Sequence, residues 1–475
     1  MKGELRIVGL RTVGLVIAGL MSVGLAAPAF AQSAPKMTLV EALKIAEERS
    51  ETLAQARAGE TRAEADKLRA NSGRLPNINF TASYDRTLAS EFSGIFDSSS
   101  SSGSSSSSSS GGSDVDFSKL PFGQRNVYRA TFSFSQPLYT GGRVTAQRKQ
   151  ADLGRENASL ASSAALAQLQ LEVTKAFYDS ALADRLVAIA ESGLEQATAA
   201  FEQTRKEFEA GRKPEFELLR AQVARDNQQP IVIRRRADRE TAYLRLRQLL
   251  KMPKPEPLAI DVELDVASLP APAPFAADLE TSRMEPPKAT RSQVAQAETL
   301  VQVREAAVAI AKAERLPAVN LTSSFGKVGY PSSGAFPGFD DFRTNATLGV
   351  QVSVPLFSGF RIQGDTLAAS ADLTASQAQR NQTKALAGLD TETAIQELAS
   401  AEAAWQASAG TIQQAQRAYE IADLRYREGL STQLELSDSR LSLQIAQANR
   451  AQAARDLQIA RTRVALLKNL PIGAR

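Results

Sequence analysis

The sequence predicts an α+β membrane protein assembled from one unit written twice, a β-hairpin followed by a very long α-helical hairpin. Three observations carry this. QPLYTGGR at 136–143 has a second copy, VPLFSGFR at 354–361, and the 218-residue register between them persists downstream, where EAGRKPEFELL at 209–219 falls on REGLSTQLELS at 427–437. In front of each copy, apolar and polar residues alternate with period two, the signature of a strand with one apolar face. Behind each copy runs a helical pattern of some 66 residues, roughly 100 Å at about 1.5 Å per residue, a length no globular domain needs. A repeat this long means two halves packed side by side, not a solenoid of small units.

Taken in order, residues 1–31 are expected to be a secretory signal peptide. Lys2, Arg6 and Arg11 flank an apolar core at 13–25, and Ala29-Phe30-Ala31 offers a cleavage site that leaves Gln32 first in the mature chain. The alternative, an uncleaved anchor, has too short an apolar run to span a bilayer. The first structural repeat covers 32–251. Thr38-Leu39-Val40-Glu41 is a capping box that opens a helix running to about Ser72 and stopping at Gly73. The first β-hairpin, about 77–138, places Ile78, Phe80, Ala82 and Tyr84 on one face of its first strand. Tyr128, Ala130, Phe132 and Phe134 share one face of the second.

The helical hairpin, about 142–251, turns at Gly211 and Pro214, and Pro230 should kink the returning helix because it lacks a backbone donor. Residues 252–290 are Pro-rich and read as a connector. The second repeat, 291–475, holds a β-hairpin at about 318–356 and a helical hairpin at about 361–470 that turns at Gly429. Its clearest strand sets Ala346, Leu348, Val350, Val352 and Val354 against Asn345, Thr347, Gly349, Gln351 and Ser353. GRLP at 73–76 matches ERLP at 314–317 with an offset of 241, not 218. The difference falls inside the first hairpin, where 98–113 is almost pure Ser and Gly. That tract is expected to be an unpacked insertion at the hairpin tip, flanked by Phe92, Phe96, Phe117 and Phe122.

Composition narrows the chemistry. The chain has no Cys and no His, so Ser-His, Cys-His, thiolate-metal and His-metal constellations are excluded, and neither metal nor cofactor is implied. Of the net charge of +4, half comes from Lys2, Arg6 and Arg11 against Glu4, which leaves no argument for a nucleic-acid partner.

Strands of about ten residues with one apolar face match tilted membrane-spanning β-strands. Four cannot close a barrel, and lipid forbids open edges, because unpaired N–H and C=O groups find no water there. The chain is therefore expected to share a barrel with copies of itself, three giving twelve strands. The bland alternative is a soluble pair of hairpins packed on helices.

The signal segment, the two β-hairpins, the two extreme helical hairpins and the LP…PL(Y/F)(T/S)G junctions, in this order and twice over, resemble the TolC-like outer membrane channel family across residues 38–470. The resemblance implies a homotrimer with a twelve-stranded β-barrel in outer membrane lipid and a twelve-helix coiled-coil tube across the periplasm. It implies a passive exit duct of a tripartite efflux pump or type I secretion system, docked to a periplasmic adaptor (membrane fusion protein) and an inner-membrane RND or ABC transporter. The competing reading is a periplasmic coiled-coil adaptor or structural protein without a membrane span.

The entrance would lie at the turns marked by Gly211 and Gly429. Glu435 and Asp438, three apart on one helix face, would form the pore constriction, although on spacing alone they read as a solvated acidic face. Gate links in the family join an acid of the first half to a Tyr and an Arg of the second. Glu217 and Tyr426 match the acid and the Tyr, but Ser431 stands where the Arg is expected. Arg427 or Arg220 is the candidate substitute, and either reads equally as a surface charge. Trp405, the only Trp, reads as a packing anchor, and Arg234-Arg235-Arg236 as a wet helix face.

Overall fold

The computed structural model describes residues 36–88, 126–253, 258–264, 268–287, 291–331 and 337–474. The expected signal peptide, the Ser-rich tract and its four flanking Phe lie outside the described residues.

Thr38 and Glu41 form the capping box, each side chain accepting the other's backbone N–H at 3.3 and 2.9 Å. The pattern that reads as one helix to Ser72 is two, α1 (Leu39–Arg49) and α2 (Glu51–Ser72). Ser50 separates them. Its extended backbone ends α1, and its hydroxyl accepts the Leu53 amide (3.3 Å) to start α2. Two short strands, β1 (Lys36–Met37) and β4 (Ala259–Ile260), pair in parallel and fix the segment in front of α1 to the connector.

The main sheet holds β2 (Asn77–Arg86), β3 (Asn126–Tyr139), β5 (Ala318–Gly329) and β6 (Phe342–Ser353) in spatial order β2-β3-β5-β6, antiparallel throughout. Register aligns Phe80, Phe132, Phe325 and Ala346 in one row and Ile78, Phe134, Ser323 and Leu348 in the next, so the apolar residues of all four strands share one face. That face is uncovered. Ile78, Phe80, Phe132, Phe325, Leu348, Val350 and Val352 are each more than half exposed. The opposite face is polar, with an Asp85–Arg129 ion pair and a Ser324–Thr347 hydrogen bond at 2.6 Å. Among the described residues, the outer edges of β2 and β6 have no partner strand.

Below the sheet, α3 (Arg143–Glu209) and α8 (Arg361–Arg427) are the two long helices, equal in length at 67 residues and displaced by the repeat register. The returning segment of the first repeat is α4 (Glu215–Asp226) and α5 (Gln228–Leu250). The break between them at Asn227 is where Pro230 acts, since residue 230 cannot donate to the carbonyl four residues earlier. In the second repeat, which lacks a Pro at this place, α9 (Gln433–Leu466) returns unbroken. Helix α7 (Ser292–Ala313) is the counterpart of α2, the same 22 residues long at the offset of 241.

Packing follows a simple order. Toward the sheet the helices lie side by side as α2, α3, α7, α8; away from it they lie as α8, α9, α3 and α4–α5. The chain is thus a wall four elements wide from the sheet to the far turns.

The wall thickens only near its middle. There α1, the middle of α3, α5, α8 and the end of α9 enclose Phe177, Leu246, Leu250, Leu457, Leu467 and Leu470. The Pro-rich stretch is more than a connector. It carries α6 (Ala276–Met284), buries Leu258, Leu264, Leu269, Phe275 and Leu279, and accepts hydrogen bonds from Gln458 to the Pro270 carbonyl (2.8 Å) and Arg461 to the Leu269 carbonyl (2.7 Å). Arg291, wholly buried, bonds Asp390 (2.6 Å) and the Leu470 carbonyl (2.9 Å), and Arg463 meets the other Asp390 oxygen at 2.9 Å. These contacts fasten the end of the chain to α7 and α8. Trp405 is a packing anchor as expected, with the Arg450 guanidinium 3.6 Å from its ring centre.

Candidate pore entrance

The end of the molecule farthest from the sheet is built by the two turns that the repeat predicts. Each long helix stops in the same way. Gly211 and Gly429 adopt left-handed conformations (φ 70° and 71°), where a side chain would be strained. Gly211 N–H bonds the Phe208 carbonyl and Arg212 N–H the Glu207 carbonyl, both at 2.8 Å; Gly429 bonds Tyr426 at 3.1 Å and Leu430 bonds Arg425 at 2.8 Å. Both sets are the paired closing bonds that satisfy the orphan carbonyls of a helix end. The returning helices start differently. Thr432 caps α9 by accepting the Glu435 amide at 3.4 Å, whereas Pro214, at the matching place, begins α4 without a side-chain bond.

Glu435 and Asp438 are exposed on the face of α9 that also shows Leu434 and Leu441; Gln433, Leu436 and Arg440 point into the wall. The acids are therefore on the side of α9 not used by its own chain. Their first-repeat counterparts are Glu217 and Arg220, both half-buried on α4. The Arg220 guanidinium lies 5.4 Å from the Phe216 ring, on its own helix. Arg427 is exposed and pairs with Asp423 one turn earlier at 2.7 Å. Neither Arg is placed by the chain against Glu217 or Tyr426. Ser431 directs its hydroxyl to the Ala422 carbonyl at 3.5 Å.

Tyr426 is enclosed, at 1% exposure, between the two repeats with Ala200, Leu436 and Tyr419 around it. Its hydroxyl is 2.6 Å from that of Thr204 on α3, and the Lys213 ammonium sits 3.6 Å from its ring centre and 2.9 Å from Glu207. Burial alone would lower Lys213, but the neighbouring Tyr426 and Glu207 outweigh it and hold the ammonium above its ordinary range. Burial would likewise raise Glu207, yet Lys213 and Gln203 (3.1 Å) hold it below the usual carboxylate range. Lys213, Thr204 and Glu207 are members of this end that the sequence reading omits. One signal points to Lys213: it stands one repeat before Ser431.

The arrangement carries no reacting constellation. Among the described residues no cluster of Asp and Glu is placed to hold a metal ion, and no helix is long and apolar enough to cross a membrane; the latter says nothing of the sheet.

Comparison with known proteins agrees with this architecture. The family model described as outer membrane efflux protein matches residues 42–250 and 288–469. No curated protein matches the chain in sequence. Among solved structures, the outer membrane channel CmeC of Campylobacter jejuni superposes with a TM-score of 0.72 at 14% identity, covering 92% of this chain and 86% of its own. The outer membrane protein VceC of Vibrio cholerae gives 0.69 at 18% identity, covering 90% and 96%. The open state of the Neisseria gonorrhoeae outer membrane channel MtrE gives 0.68 at 20% identity, covering 92% and 90%. These likenesses establish a shared fold, and the family match extends over most of both repeats. The chain belongs to the outer membrane efflux protein family, a family of channels and not of enzymes, seated in the outer membrane with a periplasmic extension.

Proposed function

We propose that three copies of the chain close into a twelve-stranded barrel continued by a twelve-helix tube, and that this trimer is the passive exit duct of a tripartite efflux pump or a type I secretion system. The observation that carries the reading is the four-wide wall with two unpaired edges. Strand β2 and strand β6 run antiparallel to each other across the sheet, so β6 of one copy can pair with β2 of the next without breaking the alternation. Such closure leaves no edge in lipid and turns the uncovered apolar face outward and the polar face inward.

The helical wall supports the same count. Helix α8, at the rim of the wall, buries only eight of its 67 residues within the chain, as suits a helix whose other side meets a neighbouring copy. The far turns are the entrance, where Glu435 and Asp438 from three copies would ring the axis, with a periplasmic adaptor and an inner-membrane transporter engaging the outside. Residues 1–31 would direct export and be removed. The alternative, an adaptor without a membrane span, leaves the exposed apolar rows of Phe80, Phe132, Phe325 and Val350 without a purpose.

Planar-bilayer recording of the purified protein tests the reading. Ion-conducting pores with a cation preference are expected; absence of conductance would overturn the duct.

A further inference from the structure

Tyr426 is sealed at the entrance end of a helix that buries little else along its length. Beside Leu436 and Tyr419 of its own repeat, the polar part of the seal comes from the other repeat. Thr204 gives its own proton to the Ala200 carbonyl (2.7 Å), so the Tyr426 hydroxyl is the donor in the 2.6 Å bond between them. The Lys213 ammonium covers the ring at 3.6 Å, and Glu207 pins that ammonium from behind. The Lys213 and Glu207 side chains are only 14% and 17% exposed, so the charges interact largely out of water, where a cation over an aromatic face gains most.

The duplication makes the placement informative. Lys213 and Ser431 occupy the same position of the two repeats. The second repeat lacks a cation there, and the first repeat supplies one directed at Tyr426 of the second. Arg220 and Arg427, the candidates for the missing family Arg, contact Phe216 and Asp423 of their own helices.

We propose that Lys213 is the positioning residue of the entrance latch, holding Tyr426 of the second helical hairpin against the turn of the first. The proposal rests on the duct reading and assigns that duct its closing contact. The entrance end of α8 is supported by α9 on one side and lies at the rim of the wall on the other. With the node released, α8 and α9 are free to move together away from the first hairpin, which widens the opening. Losing a shielded contact of this kind shifts a two-state equilibrium by about 10-fold or more.

Single-channel recording of Lys213→Ala, with Lys213→Arg as the conservative control, reads the latch. Lys213→Ala is expected to raise conductance about two-fold or more while the detergent-extracted trimer stays intact, and Lys213→Arg to keep wild-type conductance, because a guanidinium also stacks and pairs. A merely structural Lys213 would lower trimer yield without changing the conductance of the pores that form. Tyr426→Phe and Glu207→Gln, which remove almost no volume, should each give a smaller rise, and they carry the test if Lys213→Ala does not assemble. Assembled Lys213→Ala pores with wild-type conductance overturn the latch, as do unchanged Tyr426→Phe and Glu207→Gln pores in the fallback. A wild-type protein that forms no pore overturns the duct and the latch together, a result distinguishable from the first.

Discussion

Asp390 holds two arginines that the fold has taken out of water, Arg291 with no exposed surface and Arg463 with a nearly buried side chain. Replacing it with Asn keeps the shape and leaves buried Arg291 without its counter-charge, while Arg463 keeps Glu397. Asp390→Asn should cost about 3–5 kcal/mol. The loss would be read as a lower thermal midpoint and as faster hydrogen exchange in the 467–474 segment, part of which Arg291 ties through the Leu470 carbonyl.

The acids at the entrance behave oppositely. Glu435 and Asp438 are exposed, so the double Ala variant should change stability by less than about 0.5 kcal/mol while weakening cation preference and relieving block by trivalent ions. The Lys213–Glu207 pair sets its own pH window. Glu207 is held below its ordinary 4.5, so its contribution is present above that value and is lost as pH falls through the lowered pKa. Lys213 is held above 10.5, so its contribution is present below that value and is lost as pH rises through the raised pKa. Conductance recorded from about pH 5 to 9 should therefore show no release of the latch.

What could be read at this scale followed chemistry and spacing. Glu435 and Asp438 declared a shared face, and Tyr426 was named only by the resemblance to the family. Lys213 is marked only by its register with Ser431, because its aromatic partner lies on the other repeat and a lysine after a Gly turn reads as solvated. The same holds for Arg291 and Arg463, whose burial depends on a chain end folding back over them.

Elements were more legible because period and register are local. The alternation of Ile78 to Tyr84 and of Ala346 to Val354 marks strands whichever neighbours they find, and the PL(Y/F)(T/S)G junctions mark where helices begin. Ser50 was hidden, since a serine inside a continuous helical pattern signals a break only when its hydroxyl turns to cap the next turn. The Pro-rich connector was read by composition as a link, yet its apolar residues complete the central core.

Equivalent junctions in the two repeats also differ in a way only packing reveals. Gly141 and Gly359 both have positive φ (64° and 58°), but a Cβ on Gly141 would lie 2.7 Å from the Leu316 Cβ and 2.9 Å from the Ala313 carbonyl oxygen, while none would be met at Gly359. Gly359→Ala should cost about 1 kcal/mol from backbone strain alone, and Gly141→Ala at least about 2 kcal/mol more. Chemical denaturation of the two variants side by side checks the difference.

At the scale of the whole molecule, one chain is an open wall. Among the described residues its sheet has an uncovered apolar face and two unpaired edges, its helical layer continues at the same width, and its rim helix α8 is bare along most of one side. Each feature is costly in isolation, and the proposed lateral closure would resolve all three, since edge groups would pair, apolar rows would meet lipid, and α8 would meet α2 or α4–α5 of the next copy. The repeat made four strands and four long helical segments legible in the sequence, but the count of copies came from barrel closure and not from any residue. The most direct test is the native mass of the protein extracted from the outer membrane fraction in mild detergent. The account predicts one species of about three chain masses. A monomer, or a soluble species in the periplasmic extract, would contradict it.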